Sequence, residues 1–302
     1  MEPKGILGFD IDGTLTKRNT ETILPKCLPD LFRFLDKIGY FFIPVTGKPA
    51  AYALRIIQKN GLQQRGVIAE NAGVYVKSNS DSPEIFGPNL EAIHKLKKAL
   101  GIEAKTKGKA LLKFKNGYTE TIIDPEDVSI FTIFTDPEAV NHKWNYSVSM
   151  TTDEIWHSIN KTIKSVDLTE KLELLKSFPD GGIQVIRKDF DGIHPIDKSS
   201  IVKILEVMFP ECPNLPIAMF GDGHNDIPAM SPPSITPITF SNGEPVVKDF
   251  VVAKSGFISK YDAVQDIGVA DGIKWLAEEK NFFAKKTQTV LNKLHKLFPN
   301  LI

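Results

Sequence analysis

The stretch from Gly5 to Thr16, GILGFDIDGTLT, restricts the possible folds of this chain more than any other part of it. An apolar run leads into two aspartates, Asp10 and Asp12, which are followed at once by Gly13 and Thr14. A short apolar run of this kind is typical of a buried parallel strand, and in an open α/β sheet ligands bind where the carboxyl ends of such strands stop. The stretch therefore predicts a strand that ends in a site with two carboxylates. Taken alone, it is also consistent with a strand that ends in an ordinary polar turn.

A second strand end carries a hydroxyl group. The apolar run 40–45 (YFFIPV) predicts another buried strand, and it leads directly into Thr46 and Gly47. Pro49 suits the first turn of the helix that follows, where free N–H groups and the positive end of the helix favour an anion. Thr46 is therefore a candidate phosphate contact, and the alternative is a strand-to-helix turn capped by a threonine. Gly47 and Lys48 do not form a P-loop, because the upstream glycine is missing and proline follows the lysine.

Two further groups of polar residues lie in the second half of the sequence. Asp197 is a candidate N-cap of an apolar helix, which places Lys198 in the first turn of that helix. A cation at this position is unfavourable unless an anion lies nearby, and the alternative is a solvated surface lysine. The apolar run IAMF then predicts a strand that leads into GDGHND. This loop brings the acids Asp222 and Asp226 and the amide Asn225 to another strand end, with glycines that let the backbone approach closely.

The sequence divides into a main domain and an inserted one. A polar segment that contains proline, 78–88, marks a boundary, and the strands and helices that follow it are typical of an α+β module. We predict that 1–82 and 193–302 form the main domain and that 83–192 form the insert. In the insert, Arg187 is a candidate substrate contact or a solvated side chain. Other predicted elements are a helical region over 153–178, edge strands at 235–240 and 250–253, and a helix over 271–298 within the C-terminal segment 271–302.

The composition excludes several classes of protein. Lys and Arg number 37 and Asp and Glu number 37, so no net charge attracts the chain to nucleic acid or to an anionic membrane. No stretch approaches the roughly 18 to 20 apolar residues of a membrane span, and no signal-peptide pattern precedes the first strand. Cys27 and Cys212 have neither a metal-binding nor a redox spacing, which is consistent with cytosolic thiols. We expect a soluble, cytoplasmic protein, a monomer or homodimer, that binds neither nucleic acid nor membrane.

The order of these polar groups closely resembles that of the haloacid dehalogenase (HAD) superfamily of phosphohydrolases. Its four motifs are an aspartate pair with Gly-Thr, a Ser or Thr, a Lys or Arg, and an acidic Gly-Asp loop, and they correspond here to DIDGT, VTGK, DKSS and GDGHND. The insert lies between Thr46 and Lys198, as in the Cof-like (IIB) branch, although that branch often has arginine where Lys48 stands. The branch includes sucrose-phosphate, trehalose-phosphate and mannosyl-phosphoglycerate phosphatases and phosphomannomutase. The resemblance implies an α/β fold, a Rossmann-like parallel-sheet core with an inserted α+β cap domain of type C2 that determines substrate specificity.

The resemblance also implies a chemistry. It is that of a Mg²⁺-dependent phosphomonoesterase, that is, a phosphoric monoester hydrolase. Such an enzyme would form an aspartyl-phosphate on Asp10. Asp12 would be the general acid and base, and Thr46 and Lys198 would be further catalytic residues. Carboxylates that converge without a cation repel by on the order of 4 kcal/mol per close pair at an effective dielectric near 20, and an all-oxygen site favours Mg²⁺. The implied metal site comprises Asp10, Asp12, Asp222, Asn225 and Asp226. The implied phosphate-binding set comprises Asp12, Gly13, Thr14, Thr46, Gly47, Lys198 and Asn225.

Three functions are compatible with these motifs. The first is a phosphatase that acts on a sugar phosphate or a similar small phosphorylated metabolite. The second is a phosphomannomutase-like phosphosugar mutase, although the mutases of this superfamily usually have an altered fourth motif and GDGHND resembles that of the hydrolases. The third is an inactive sensor that binds sugar phosphates. An inactive member is expected to lose Asp10 or Asp12, and this chain keeps both.

Overall fold

The computed structural model describes residues 2–18, 20–80, 82–102, 108–114, 117–123, 127, 129–134, 150–177, 182–189 and 191–301. The chain forms two compact units. The parallel-sheet unit comprises Met1–Glu84 and Lys198–Ile302, and the antiparallel-sheet unit comprises Ile85–Asp197. The division predicted from the sequence falls at 82/83 and 192/193. No helix among the described residues has both the length and the hydropathy that crossing a bilayer requires.

Strands and helices alternate along much of the chain. The strands are β1 (Gly5–Phe9), β2 (Tyr40–Pro44), β3 (Gly66–Ala69), β4 (Val74–Lys77), β5 (Glu84–Ile85), β6 (Gly108–Phe114), β7 (Gly117–Ile123), β8 (Phe131–Phe134), β9 (Leu172–Ser177), β10 (Gly182–Arg187), β11 (Ile217–Phe220), β12 (Ile235–Thr239) and β13 (Phe257–Ile258). The helices are α1 (Leu28–Lys37), α2 (Ala50–Lys59), α3 (Leu90–Ala99), α4 (Thr152–Ser165), α5 (Ile201–Met208), α6 (Ile227–Met230), α7 (Pro245–Ala253), α8 (Gly268–Glu278) and α9 (Thr287–Leu297).

The parallel-sheet unit is built on one five-stranded sheet. Its strand order is β13-β12-β11-β1-β2, and every neighbouring pair is parallel. Phe9, the last residue of β1, lies opposite Phe220 of β11 on one side and Pro44 of β2 on the other. The three loops that follow these strands therefore leave the sheet at the same edge. This edge is where ligands bind in open α/β sheets.

Aromatic side chains fill the core beneath that edge. The rings of Phe9 and Phe220 stack with their centroids 4.4 Å apart, and Phe32 of α1 lies 5.1 Å from Phe9 and 4.7 Å from Phe42. Such pairs contribute about 0.5 to 1.5 kcal/mol each beyond the burial of their area. The ends of β1, β2 and β11 are thus fixed by packing, which holds the loops that follow them in place.

The antiparallel-sheet unit has its own sheet and its own core. The strand order is β6-β7-β8-β10-β9, with every neighbouring pair antiparallel. α3 and α4 contribute buried apolar side chains at helical spacing, such as Ile155, Ile159 and Ile163 of α4. These pack with Phe131, Ile133 and other buried residues of the strands. A parallel sheet in one unit and an antiparallel sheet with helices in the other give the α/β fold with an inserted α+β unit that the sequence predicts.

The buried side chain of Arg187 joins separate segments of the antiparallel-sheet unit. Arg187, the last residue of β10, is 1% exposed. Its side chain donates to the carbonyl oxygens of Ser129 at 3.1 Å, Phe86 at 2.7 Å, Gly87 at 3.1 Å and Pro88 at 2.6 Å. Arg187 is therefore not a solvated side chain, and its position among backbone carbonyls indicates a structural role in place of the predicted substrate contact. It links the first residues of this unit to its last strand.

Of the two predicted edge strands, one is a helix and the other is a strand that does not lie at the edge of its sheet. Residues 250–253 lie in α7, whose buried side chains Val247 and Val251 are four residues apart and share one helical face. The segment 235–240 forms β12 over Ile235–Thr239, but β12 lies between β11 and β13 and is not at the edge. A short apolar run does not distinguish strand from helix by its period, and a strand's place in a sheet depends on distant partners.

Two predicted helices are also wrong in part. The region 153–178 contains α4, but its last residues form β9. The C-terminal segment 271–302 contains not one helix but parts of two, α8 and α9, with a break between them. Within the break, Asn281 and Ala284 have φ of 49° and 44°, which a right-handed helix does not accommodate. Phe283 is buried in the break, where its ring lies 4.8 Å from that of Tyr40.

Candidate active site

Asp10 directly follows β1 and extends its ladder by one hydrogen bond. Its N–H donates to the carbonyl oxygen of Phe220 at 2.9 Å, which joins the end of β1 to that of β11. The chain then turns at Gly13, where φ is +94° and the N–H donates to the carbonyl oxygen of Thr16 at 2.8 Å. A Cβ at Gly13 would collide with the carboxylate of Asp222. The turn therefore requires glycine both for its backbone conformation and for space.

Three buried carboxylates surround one buried lysine. Asp10, Asp222 and Asp226 each offer an oxygen, and these oxygens lie within 4.8 Å of one another. The Nζ of Lys198, whose side chain is 1% exposed, donates to Oδ1 of Asp10 at 2.9 Å and to Oδ1 of Asp226 at 2.6 Å. Oδ1 of Asp222 accepts a hydrogen bond from the hydroxyl of Thr14 at 2.9 Å. Residues from both segments of the parallel-sheet unit thus converge on one point.

The charges of this cluster do not balance. Burial, and then the charges of Asp10 and Asp226, raise the pKa of Asp222 to about 8. Burial and the charge of Asp10 also raise the pKa of Asp226, although Lys198 opposes this. Burial disfavours the charged form of Lys198, but the neighbouring carboxylates outweigh it and raise the pKa of Lys198 above its usual range. One lysine therefore faces three carboxyl groups, and the site favours an additional cation.

Lys198 reaches the site from an unexpected local structure. It does not stand at a strand end but begins a 3₁₀ turn, Lys198–Ser200. α5 follows with Ser200 as its N-cap residue, so Asp197 is not the N-cap of this helix. The prediction that the lysine needs a nearby anion is nevertheless consistent with its ion pairs to Asp10 and Asp226.

The loop after β11 folds back on itself through its glycines. The N–H of Gly223 donates to Oδ2 of Asp226 at 3.1 Å, and a Cβ at Gly221 would contact the Asp226 side chain. Asn225 is exposed, with its Oδ1 over Gly223. Asp226 of this loop contacts Lys198 directly.

Thr46 lies at the same edge of the sheet, just beyond β2. It is buried, its N–H donates to the carbonyl oxygen of Ile68 at 2.9 Å, and its Oγ1 accepts from the N–H of Lys48 at 3.1 Å. This leaves the hydroxyl proton of Thr46 able to donate to a ligand. A Cβ at Gly47 would lie 2.9 Å from Oδ1 of Asn71, so glycine allows this neighbouring loop to pack closely.

Two residues that the motifs do not include also contact the loop after β1. The hydroxyl of Tyr52 lies 3.2 Å from Oδ1 of Asp12, and Nδ2 of Asn242 donates to the carbonyl oxygen of Gly13 at 3.0 Å. Asn242 follows a strand in a Ser-Asn-Gly turn, which is a signal that sequence analysis can detect. Tyr52 stands in an ordinary amphipathic helix, and nothing in its sequence context distinguishes it.

The sequence also matches a known protein family. The sequence profile of the haloacid dehalogenase-like hydrolases matches residues 7–264. The chain belongs to the haloacid dehalogenase-like hydrolase family. No curated protein matches its sequence. The family match contains both the Asp10 loop and the Asp222 loop and confirms the predicted superfamily.

Solved structures of other proteins have the same fold. A haloacid dehalogenase-like hydrolase from Bacteroides thetaiotaomicron is 13% identical with a TM-score of 0.60, over 90% of this chain and 99% of its own. A HAD/COF-like hydrolase from Plasmodium vivax is 14% identical with a TM-score of 0.58, over 90% and 95%. A Thermoplasma acidophilum protein is 19% identical with a TM-score of 0.55, over 89% and 96%. At these identities the similarity shows the fold alone.

Proposed function

We propose that this HAD-like hydrolase is a Mg²⁺-dependent phosphomonoesterase that acts on a sugar phosphate or a similar small phosphorylated metabolite. The observation that carries the proposal is the contact of the buried Lys198 with Oδ1 of Asp10, beside the two further buried carboxylates of Asp222 and Asp226. A nucleophilic carboxylate must be oriented, and the hydrogen bond from Lys198 at 2.9 Å holds Oδ1 of Asp10 in place. The excess of carboxyl groups over lysine fits a divalent cation.

The donor set agrees with the proposed metal. Asp10, Asp222 and Asp226 offer carboxylate oxygens only, and hard oxygen donors suit Mg²⁺, which keeps several waters and binds substrate phosphate. By resemblance, the backbone carbonyl of Asp12 completes the set, with Asn225 as a contact through water. When bound, Mg²⁺ neutralises charge on the phosphate and on its attacker. The Thr14 hydroxyl fixes the orientation of Asp222 for this role.

The proposed reaction has two steps. An oxygen of Asp10 attacks phosphorus, the bond from phosphorus to the alcohol oxygen breaks, and Asp12 gives its proton to the leaving alcohol. In the second step Asp12, now a carboxylate, takes a proton from water, and this water cleaves the aspartyl-phosphate to release inorganic phosphate and free Asp10. The two steps restore the protonation states of both aspartates.

Hydrogen-bond donors at the site are suited to the phosphoryl oxygens. Lys198 has three N–H donors and uses two of them on Asp10 and Asp226, which leaves the third for a phosphate oxygen. Thr46 offers its hydroxyl proton. The N–H of Gly13 is already bonded to Thr16, so this one amide of the predicted phosphate-binding turn is engaged within the protein. We further propose that the inserted unit is the domain that selects the substrate.

Phosphate release tests this function. Purified protein is incubated with sugar phosphates, polyol and glycerate phosphates, and nucleotides, with Mg²⁺ and with EDTA, beside Asp10→Asn. We expect Mg²⁺-dependent release that the folded Asp10→Asn variant lacks. Undiminished release by a folded Asp10→Asn variant contradicts the mechanism. No release by the wild type with any compound contradicts the phosphatase, and a requirement for a sugar bisphosphate would indicate the mutase.

A further inference from the structure

One face of α2 and the residue that ends it hold the loop that follows Asp12. Tyr52, Arg55 and Asn60 lie three and five residues apart along this segment. The Tyr52 hydroxyl lies 3.2 Å from the carbonyl oxygen of Thr20, Arg55 pairs with Glu21 at 3.2 Å, and Asn60 donates to the carbonyl oxygen of Glu21 at 2.8 Å. The helix that follows Thr46 is therefore attached to the loop that follows Asp12. Among these contacts, the Tyr52 hydroxyl also reaches the carboxyl group of Asp12 itself.

The contact between Tyr52 and Asp12 has a defined polarity. The Tyr52 hydroxyl lies 3.2 Å from Oδ1 of Asp12 and has a single proton to donate. A tyrosine phenol ordinarily ionises only at about pH 10, so it keeps this proton at physiological pH. Oδ1 of Asp12 can accept this proton in both states of the carboxyl group, as part of a carboxylate, which is a stronger acceptor than the carbonyl of Thr20, or as the C=O oxygen of the neutral acid. Tyr52 is thus a donor toward Oδ1 of Asp12.

We propose that Tyr52 is a positioning residue that orients the general acid Asp12 for proton transfer. Because Tyr52 donates to Oδ1, this oxygen acts as an acceptor and the transferable proton of Asp12 is carried by Oδ2. The hydrogen bond fixes both the rotation of the carboxyl group and the oxygen from which the leaving alcohol receives its proton. Tyr52 itself gains and loses no proton. This inference rests on the proposed function, in which Asp12 is the general acid.

Orientation of Asp12 by Tyr52 can be distinguished experimentally from attachment of the loop that follows Asp12. A general acid matters most when the leaving group is a weakly acidic alcohol, and it matters little for an acidic phenol that leaves as its anion. Loss of an oriented acid therefore slows the first step, the release of the leaving group, selectively with sugar phosphates. Loosening of the loop, in contrast, disturbs the whole site and slows both kinds of substrate.

The test compares Tyr52→Phe, which removes only the hydroxyl, with Arg55→Met, which removes the ion pair between α2 and Glu21 of the same loop. Each is measured with 4-nitrophenyl phosphate and with the sugar phosphate that the wild type hydrolyses fastest, and thermal unfolding verifies the fold. We expect Tyr52→Phe to slow the single-turnover release of the alcohol from the sugar phosphate by about tenfold and that of 4-nitrophenol by less than about twofold, because only this first step uses Asp12 as the acid. Arg55→Met should show no such selectivity. In an Asp12→Asn background the selective effect of Tyr52→Phe should vanish, because the two residues act as one unit.

The outcomes separate the two proposals. Equal losses with both substrates, no loss with either, or the same selectivity in Arg55→Met overturns the role of Tyr52 and leaves the phosphatase in place. A wild type that releases no phosphate from either substrate overturns the proposed function and the role of Tyr52 with it.

Discussion

Lys198 donates a hydrogen bond of 2.6 Å to Asp226 in a site where the lysine side chain is 1% exposed and the aspartate is fully buried. Removal of one partner from a buried ion pair leaves an uncompensated charge, which costs about 3 to 5 kcal/mol. We expect Lys198→Met to lower the free energy of unfolding by about that amount in EDTA, measured by urea denaturation. Lys286→Met, at an exposed lysine, is the control and should change stability by less than about 0.5 kcal/mol. Similar values for the two variants would contradict the role given to the buried pair.

Gly13 and Gly39 have the same φ of +94° but different neighbours. A Cβ at Gly13 would collide with the Asp222 carboxylate, whereas at Gly39 it would lie 3.1 Å from the flexible Lys4 side chain. Both alanine variants should lose about 1 to 3 kcal/mol of stability through backbone strain. Only Gly13→Ala should also lose Mg²⁺ affinity, by about tenfold or more, because it displaces a proposed ligand. Isothermal titration with Mg²⁺ and thermal unfolding measure the two effects, and equal Mg²⁺ affinities would refute this account of Gly13.

Arg187 binds four backbone carbonyls, and lysine cannot reproduce this geometry with a single ammonium group. We expect Arg187→Lys to lower the stability of the antiparallel-sheet unit by about 3 kcal/mol, since buried acceptors lose their donors. Hydrogen exchange of the β10 amides measures this change. Arg33→Lys, at an exposed ion pair with Asp30, is the control and should change the free energy of unfolding by less than about 0.5 kcal/mol. Unchanged exchange in β10 would show that the guanidinium is dispensable.

His194 contacts Asp191 through Nδ1 at 2.5 Å, and the hydrogen bond and the charge of Asp191 raise the pKa of His194 above its ordinary 6.5. The protonated imidazole is therefore favoured in the folded chain. Any stabilisation from this pair is present below the unfolded pKa and disappears as pH rises through the folded pKa. An NMR titration of the imidazole should give a midpoint above 6.5 in the wild type and a lower one in Asp191→Asn. Coinciding midpoints would rule out the ion pair.

The sequence predicted those parts of the site that depend on short segments. The strand before Asp10 and the turn at Gly13 follow from apolar residues and glycine within a few positions, and the structure contains both. The region 250–253 was predicted wrongly, because an apolar run that short has no distinguishing period. Contacts between distant residues could not be predicted. Tyr52 reaches Asp12 from a separate helix, and only the folded arrangement of β1, β2 and α2 reveals the contact.

The convergence of Lys198 on Asp10 illustrates the same limit. Both residues were predicted as site residues by resemblance, but the 3₁₀ turn that carries Lys198 was not predicted. The placement of a lysine in an anionic surrounding depends on the fold, since its partners come from the end of β1 and from the loop after β11. Motif order identified the residues, whereas their geometry required the structure.

The carbonyl contacts of Arg187 join the first residues of the inserted unit to its last strand, and Nδ2 of Asn89 donates across the same junction to the carbonyl oxygen of Lys188 at 3.1 Å. Hydrogen bonds inside the insert thus join its two ends to each other. The insert is therefore closed by its own contacts. We therefore expect a graft cut outside Phe86 and Arg187 to transfer as a folded whole, whereas a cut between them separates the guanidinium from its carbonyl acceptors.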